Sequence, residues 1–176
     1  MSTESADALL SGYRRFREGH WAEARAEYEA LAADGQRPHT LVVACSDSRA
    51  DPALIFDTAP GQLFVVRNVA NLVPPYEPDG RLHGVSAALE FGVKVLGVSR
   101  IVVMGHALCG GVNAMLNGAP GNCRDFVAPW VEQGAPAVRR IAEREAAGDL
   151  VLTGLHFGIA DGILRALTGP GRFEAL

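Results

Sequence analysis

The chain has 176 residues, of which 48% are hydrophobic and 20% charged, with a formal net charge of -4; this predicts one soluble globular domain with a respectable core. The acidic balance leaves no electrostatic footprint for nucleic acid or an anionic membrane, and no apolar run nears the ~20 residues that cross a bilayer. Three cysteines, Cys45, Cys109 and Cys123, are too few for a disulfide framework and point to packing, catalysis or metal binding.

The first segment, from about Ala6 to Ala33, predicts helix bent or broken near Gly19, with Leu9, Leu10, Tyr13 and Phe16 as its apolar stripe. The early acids and the lack of a long apolar block predict no secretory leader, so the cytoplasm is the expected location. Gly35 and Pro38 mark a loop over Asp34–Thr40. Four strands are predicted at Leu41–Cys45, Leu63–Arg67, Arg100–Gly105 and Leu150–Thr153. The first three are continuous apolar runs, the pattern of strands covered on both faces. Helices are expected over His83–Gly97, about Val112–Asn117, Asp125–Ala147 and Gly158–Leu167, and Asn71–Gly80 is a proline-rich loop. Alternating strands and helices imply a single α/β domain: a central, mostly parallel sheet flanked by helices, preceded by a helical arm over 1–33.

Two strands end in unusual chemistry. The first runs into Cys45-Ser46-Asp47-Ser48-Arg49, the third into "GHALCGG", which holds His106 and Cys109. Ligands of a doubly wound sheet collect beyond the carboxyl ends of its strands, so both clusters belong on one edge. Cys45 and Asp47, two apart in extended backbone, point the same way; His106 and Cys109 turn towards one point at a helix entry. The helix N-terminus favours thiolate at Cys109. Two thiolates, an imidazole and a carboxylate form a four-donor set for tetrahedral zinc. Core packing, a glycine-rich phosphate cradle and a purely structural zinc are the plainer alternatives. The cradle lacks a G-x-G-x-x-G or GKS/GKT pattern. Structural zinc usually closes its shell with cysteines and histidines.

"CSDSR", "VVRNVANLVPPY", "HGVSAALEFGV" and "GHALCGG", in that order, resemble the β-class carbonic anhydrases, a likeness running from about Gln36 to Asn117. The resemblance implies a zinc-site core over 36–117, with zinc held by Cys45, His106 and Cys109. It implies that Asp47 is either the fourth ligand or is drawn away by Arg49, and that the chain interconverts CO2 and bicarbonate through attack by hydroxide on the metal. It further implies substrate contacts from Gln36, Phe64, Val69 and Phe91, with Gly110 leaving room beside the metal, and a homodimer or higher homo-oligomer embraced by the N-terminal helices. Some bacterial relatives carry a tryptophan three residues before the first cysteine; Val42 stands there, which predicts the plant-like arrangement with Asp47 paired to Arg49. A hydrolase of carbonyl sulfide or carbon disulfide, a non-catalytic zinc-stabilised interaction protein and a nucleotide-binding domain are the rival readings. His20, His39, His156 and Cys123 read as bystanders and His83 as a helix cap.

The C-terminal part, 125–176, departs from the family. A helical segment usual there is absent, Ala142-Glu143-Arg144-Glu145 joining its two sides directly. Thr153-Gly154-Leu155 replaces His-Gly-Trp, and Gly158 replaces an acid.

Overall fold

A computed structural model describes residues 3–134, 155–169 and 172–176. The predicted strand Leu150–Thr153, the Ala142–Glu145 junction and most of the helix predicted after Asp125 lie outside the described residues.

The chain divides into two compact units, Met1–Arg37 and Pro38–Leu176. The first is helical: α1 (Thr3–Glu18), α2 (His20–Glu23) and α3 (Arg25–Asp34). The breaks fall at Gly19 and Ala24, so the predicted bend is present, with a second beside it. The apolar stripe of α1 is exposed, Leu9 at 69% and Tyr13 at 58%.

The second unit is built on a sheet with strand order β2-β1-β3-β4-β5-β6. Strands β1 (Thr40–Cys45), β2 (Leu63–Asn68), β3 (Arg100–His106) and β4 (Leu155–Phe157) run parallel, β1 pairing with β2 and β3, and β3 with β4. Every residue from Leu41 to Cys45 is buried, as its run of small and β-branched side chains requires of a central strand. Val42, Ala44 and Met104 form one core cluster, packed by Ile55, Phe56, Val65, Val102 and Leu155. The opposite face is closed at Leu41 by Gly92, where an added Cβ would stand 2.5 Å from the leucine Cδ1. Gly92 belongs to the π-helical turn Phe91–Val95 that extends α5 (Gly84–Glu90), so the helix predicted over His83–Gly97 is present but changes pitch near its end. Among the described residues of the single chain, the outer face of β3 is less covered than its apolar run predicts, Ile101 and Val103 being 48% and 39% exposed, while α5 and its extension lie over the β1–β2 side.

The helix predicted over Gly158–Leu167 is also overturned. Residues after Gly158 make a tight turn and then β5 (Leu164–Gly169), antiparallel to β4, followed by β6 (Arg172–Ala175), antiparallel to β5. Gly162 sits at φ +68°, the Asp161 carboxylate accepts the Ile163 amide, and Gly158 and Ile163 close the turn through their backbones. An Asp-Gly pair with this bonding is a hairpin signal. It outweighs the weak helical spacing once β4 is available for pairing.

Candidate metal centre

Strand order reverses between β1 and β3: from β1 the chain crosses to β2 on one side, then to β3 on the other. That switch point opens a crevice beyond the strand ends. Cys45 ends β1, His106 ends β3, and Cys109 precedes α6 (Gly110–Asn117). All three are buried, and their ligand atoms lie within 4.8 Å of one another. The two sulfurs are 3.8 Å apart, which is the edge of a tetrahedron whose centre lies ~2.3 Å from each thiolate. The His106 side chain is fully enclosed. Its Nδ1 faces the Ala107 carbonyl at 2.9 Å, while Nε2 has no hydrogen-bond partner. A buried ring nitrogen left without a partner costs free energy unless a Lewis acid occupies its lone pair. The donor set therefore fits a metal ion, and these three residues could hold one.

The two thiols are not equivalent. Burial pushes Cys45 up, but the amides of Asp47 and Ala70 and the His106 ring outweigh it, so its pKa falls below the ordinary thiol value. Burial raises Cys109, and the charge of Cys45 adds to that; the amides of Val112 and Gly111 at the helix entry oppose without winning. The helix-entry amides act on Cys109 in the direction expected of a helix terminus, but in the thiol pair burial and the neighbouring Cys45 outweigh them. A second thiolate beside the first needs a cation between them.

Asp47 stands at the rim, its side chain 17% exposed and Oδ2 3.9 Å from His106 Nε2. Arg49 Nε donates to Oδ1 at 2.9 Å and Nη2 to Oδ2 at 2.8 Å, while the Arg49 amide donates to Oδ1 at 3.0 Å. These bonds, the side-chain ones first, hold the carboxyl well below the usual carboxylate range. The pair is thus intact at neutral pH and is lost only when acid reaches that depressed value.

A floor for the cluster comes from residues that sequence reasoning passed over. Ala70, in the turn Val69–Asn71, packs against both Cys45 and Cys109 and is 1% exposed. It adopts φ +67°, and Leu108, directly before Cys109, adopts φ +56°. Left-handed non-glycine backbone on two sides of one cluster is strain of the kind concentrated at functional sites. Trp130 of α7 (Val127–Glu132) donates its indole N–H to the Val69 carbonyl at 2.7 Å, and the Asn68 side chain closes the turn on both backbone groups of Leu72. The quoted "VVRNVANLVPPY" stretch contained most of this floor, but its polar residues carry no signal of which backbone they bind. A Cβ on Gly111 would stand 2.7 Å from Val69 Cγ1 and 2.9 Å from the Ala70 amide nitrogen. Gly111→Ala is therefore expected to cost ~1–3 kcal/mol by overpacking and to weaken metal retention by pushing Ala70 onto the thiols; urea unfolding and chelator competition check the two effects.

Of the other predicted site residues, Gly110 is exposed with open space where a Cβ would stand, and Val69 touches the floor of the cluster. Phe64 and Phe91 stack on each other, ring centroids 5.8 Å apart. Phe64 pairs with Leu41 while Asn68 pairs with Cys45, so the aromatic pair lies about 13 Å from the cluster by the rise of four strand residues. Gln36 belongs to the N-terminal unit and is exposed. His83 precedes α5 without capping it and pairs instead with Asp79. A hollow of about 750 Å³ between the proline-rich loop and α7, lined by Pro74, His83, Phe126 and Trp130 among others, includes none of the cluster residues.

Residues 40–153 match the sequence model of the family described as carbonic anhydrase. The chain belongs to the β-class carbonic anhydrase family. It is 37% identical over 144 residues to β carbonic anhydrase 3 of Arabidopsis thaliana, covering 80% of this chain and 55% of that protein. It is 38% identical over 157 residues to the chloroplastic β carbonic anhydrase 5 of the same plant, covering 89% and 49%. The chain thus spans about half the length of these curated β-carbonic anhydrases. Among solved structures, the β-carbonic anhydrase CcaA superposes with a TM-score of 0.81 at 29% identity, over 98% of this chain and 92% of that one. No helix among the described residues is long and apolar enough to cross a membrane.

Proposed function

We propose that this chain catalyses the reversible hydration of CO2 to bicarbonate and a proton, with zinc held by Cys45, His106 and Cys109. The observation that carries the reading is the convergence of those three ligand atoms within 4.8 Å beside a carboxylate that Arg49 holds in a two-bond grip. Zinc, when bound, supplies the Lewis acidity that makes water a nucleophile near neutral pH. Asp47 accepts a hydrogen bond from the attacking water and aims its lone pair at the substrate carbon. Arg49 keeps Asp47 charged and turned towards the guanidinium, which would leave a zinc ion held by the three candidate ligands open to reactants. Gly110 leaves room beside them. Since Asp47 is ionised far below neutrality, activity lost on mild acidification arises from other groups. Two thiolate donors give more charge than imidazoles would, which favours activity at alkaline pH.

The substrate slot is proposed to take its apolar wall from Phe64, Val69 and Phe91. The distance of the aromatic pair from Cys45 supports a slot completed across a subunit boundary, in a homodimer or higher homo-oligomer. The exposed stripe of α1 and the open face of β3 supply apolar surface for such contacts. A reducing cytoplasm suits a centre that needs two free thiols.

The test is metal analysis with stopped-flow CO2 hydration on the purified chain, with carbonyl sulfide and carbon disulfide as parallel substrates. One zinc per chain and CO2 hydration far above buffer are expected. Stoichiometric zinc with a CO2 rate equal to buffer overturns the proposal, and turnover of a sulfur analogue alone reassigns the substrate.

A further inference from the structure

We infer that Arg67 is a positioning residue: its guanidinium sets the attitude of the Cys45–Asp51 segment and so decides how Asp47 stands beside the cluster. The inference rests on the activity proposed above. Arg67 lies on β2, opposite Ala44 of β1, and its three nitrogens reach three different residues of the neighbouring segment. Nε donates to the Cys45 carbonyl at 2.9 Å, Nη2 to the Asp47 carbonyl at 2.7 Å and Nη1 to Asp51 Oδ2 at 2.5 Å. Two of these acceptors are the backbone carbonyls of a metal-ligand candidate and of the carboxylate beside it. The third is itself anchored, since Asp51 Oδ1 accepts the Ala53 amide and caps α4 (Pro52–Ile55).

The segment has few other restraints. Ser46 donates its amide to Asn68, and the Ala50 amide donates to the same Asp47 carbonyl that Arg67 reaches. Asp47 and Arg49 hold each other through side chains, but that grip fixes neither of them relative to the sheet. Arg67 does so, because it bridges the segment to a strand paired along its whole length with β1. With a side chain 26% exposed, it makes charge-assisted bonds that are partly shielded from water. A planar fork spans three separated acceptors; a lysine ammonium on the same strand reaches one or two. The carbonyls of Cys45 and Asp47 then lose a donor, and the Asp47 side chain is free to turn towards the metal.

The test is Arg67→Lys in the full chain, compared with Asp47→Asn and with the double variant. Zinc content, kcat and KM for CO2, and the pH dependence of the cobalt-substituted absorption spectrum are measured for each. The expected result is zinc retained, KM for CO2 little changed and kcat lowered ~10–100-fold, the usual effect of losing a group that orients a metal-site residue. The cobalt spectrum changes its pH dependence, and both changes vanish in the Asp47→Asn background, as coupling through Asp47 requires. Losses that add fully in the double variant, or an Arg67→Lys chain with unaltered kcat and spectrum, overturn the inference. Should Arg67→Lys fail to fold, Asp51→Asn loosens the same guanidinium: a smaller drop in kcat with the same dependence on Asp47 supports the inference, and no change overturns it. The cobalt spectrum needs no turnover, so a chain inactive towards CO2 still tests the positioning of Asp47 while the proposed activity fails separately.

Discussion

Replacing His106 by alanine is expected to take the metal content of the purified chain from about one per chain to near zero, and CO2 hydration to the buffer rate. The reason is the partition of its ring. Nδ1 is committed to the Ala107 carbonyl and Nε2 to nothing in the protein, so the side chain serves the cluster and little else. Without it two sulfurs 3.8 Å apart remain, one of them with a raised pKa, and two protonatable thiols compete poorly for a divalent ion at neutral pH. The sheet does not depend on the ring, since β3 pairs with β1 and β4 through its backbone. Metal analysis after dialysis, with far-UV circular dichroism as the control for folding, checks the result. Full metal retention by a folded His106→Ala chain would remove His106 from the ligand set.

Asp47→Asn is expected to leave metal content near one per chain and to lower kcat ~10²–10⁴-fold, the range for losing a positioned proton-accepting group. Asparagine keeps the shape of the side chain and can still accept one bond from Arg49. It cannot carry the charge that draws in both guanidinium nitrogens, and its amide nitrogen cannot accept the hydrogen bond of the attacking water. Arg49 then keeps at most one of its two side-chain bonds and gains freedom to turn to solvent, where half of its side chain already lies. Stopped-flow rates normalised to bound zinc measure the effect, and a rate within about twofold of the parent chain would contradict the role given to this carboxylate.

Much of the arrangement is legible in the residues. Continuous apolar runs located β1, β2 and β3, although only β1 is buried along its length as a central strand that needs no polar face. Ligand-type residues at two strand ends placed the cluster because topology brings such ends to one edge. What escaped depends on contacts between distant segments. The rise at Cys109 follows first from burial and then from a neighbour 64 residues away, against the amides of the helix it precedes. The last hairpin follows from pairing with β4, which outweighs local helical spacing. The bare face of β3 follows from where α5 lies, and the work of Arg67 and Trp130 from backbone carbonyls that sequence cannot assign. Phe64 and Phe91 resemble pocket residues by position, and their stacking beside Leu41 is a contact between segments that spacing alone does not give.

The three candidate ligands have a kinetic corollary. One comes from the first strand of the sheet and two from the far side of a crossover, and no stretch of peptide carries more than the pair three residues apart. The nascent chain therefore holds no complete chelator until β3 docks against β1. Ion capture becomes a late event, conditional on correct strand order, and resistance of the bound ion to a chelator doubles as a gauge of whether the sheet has closed properly.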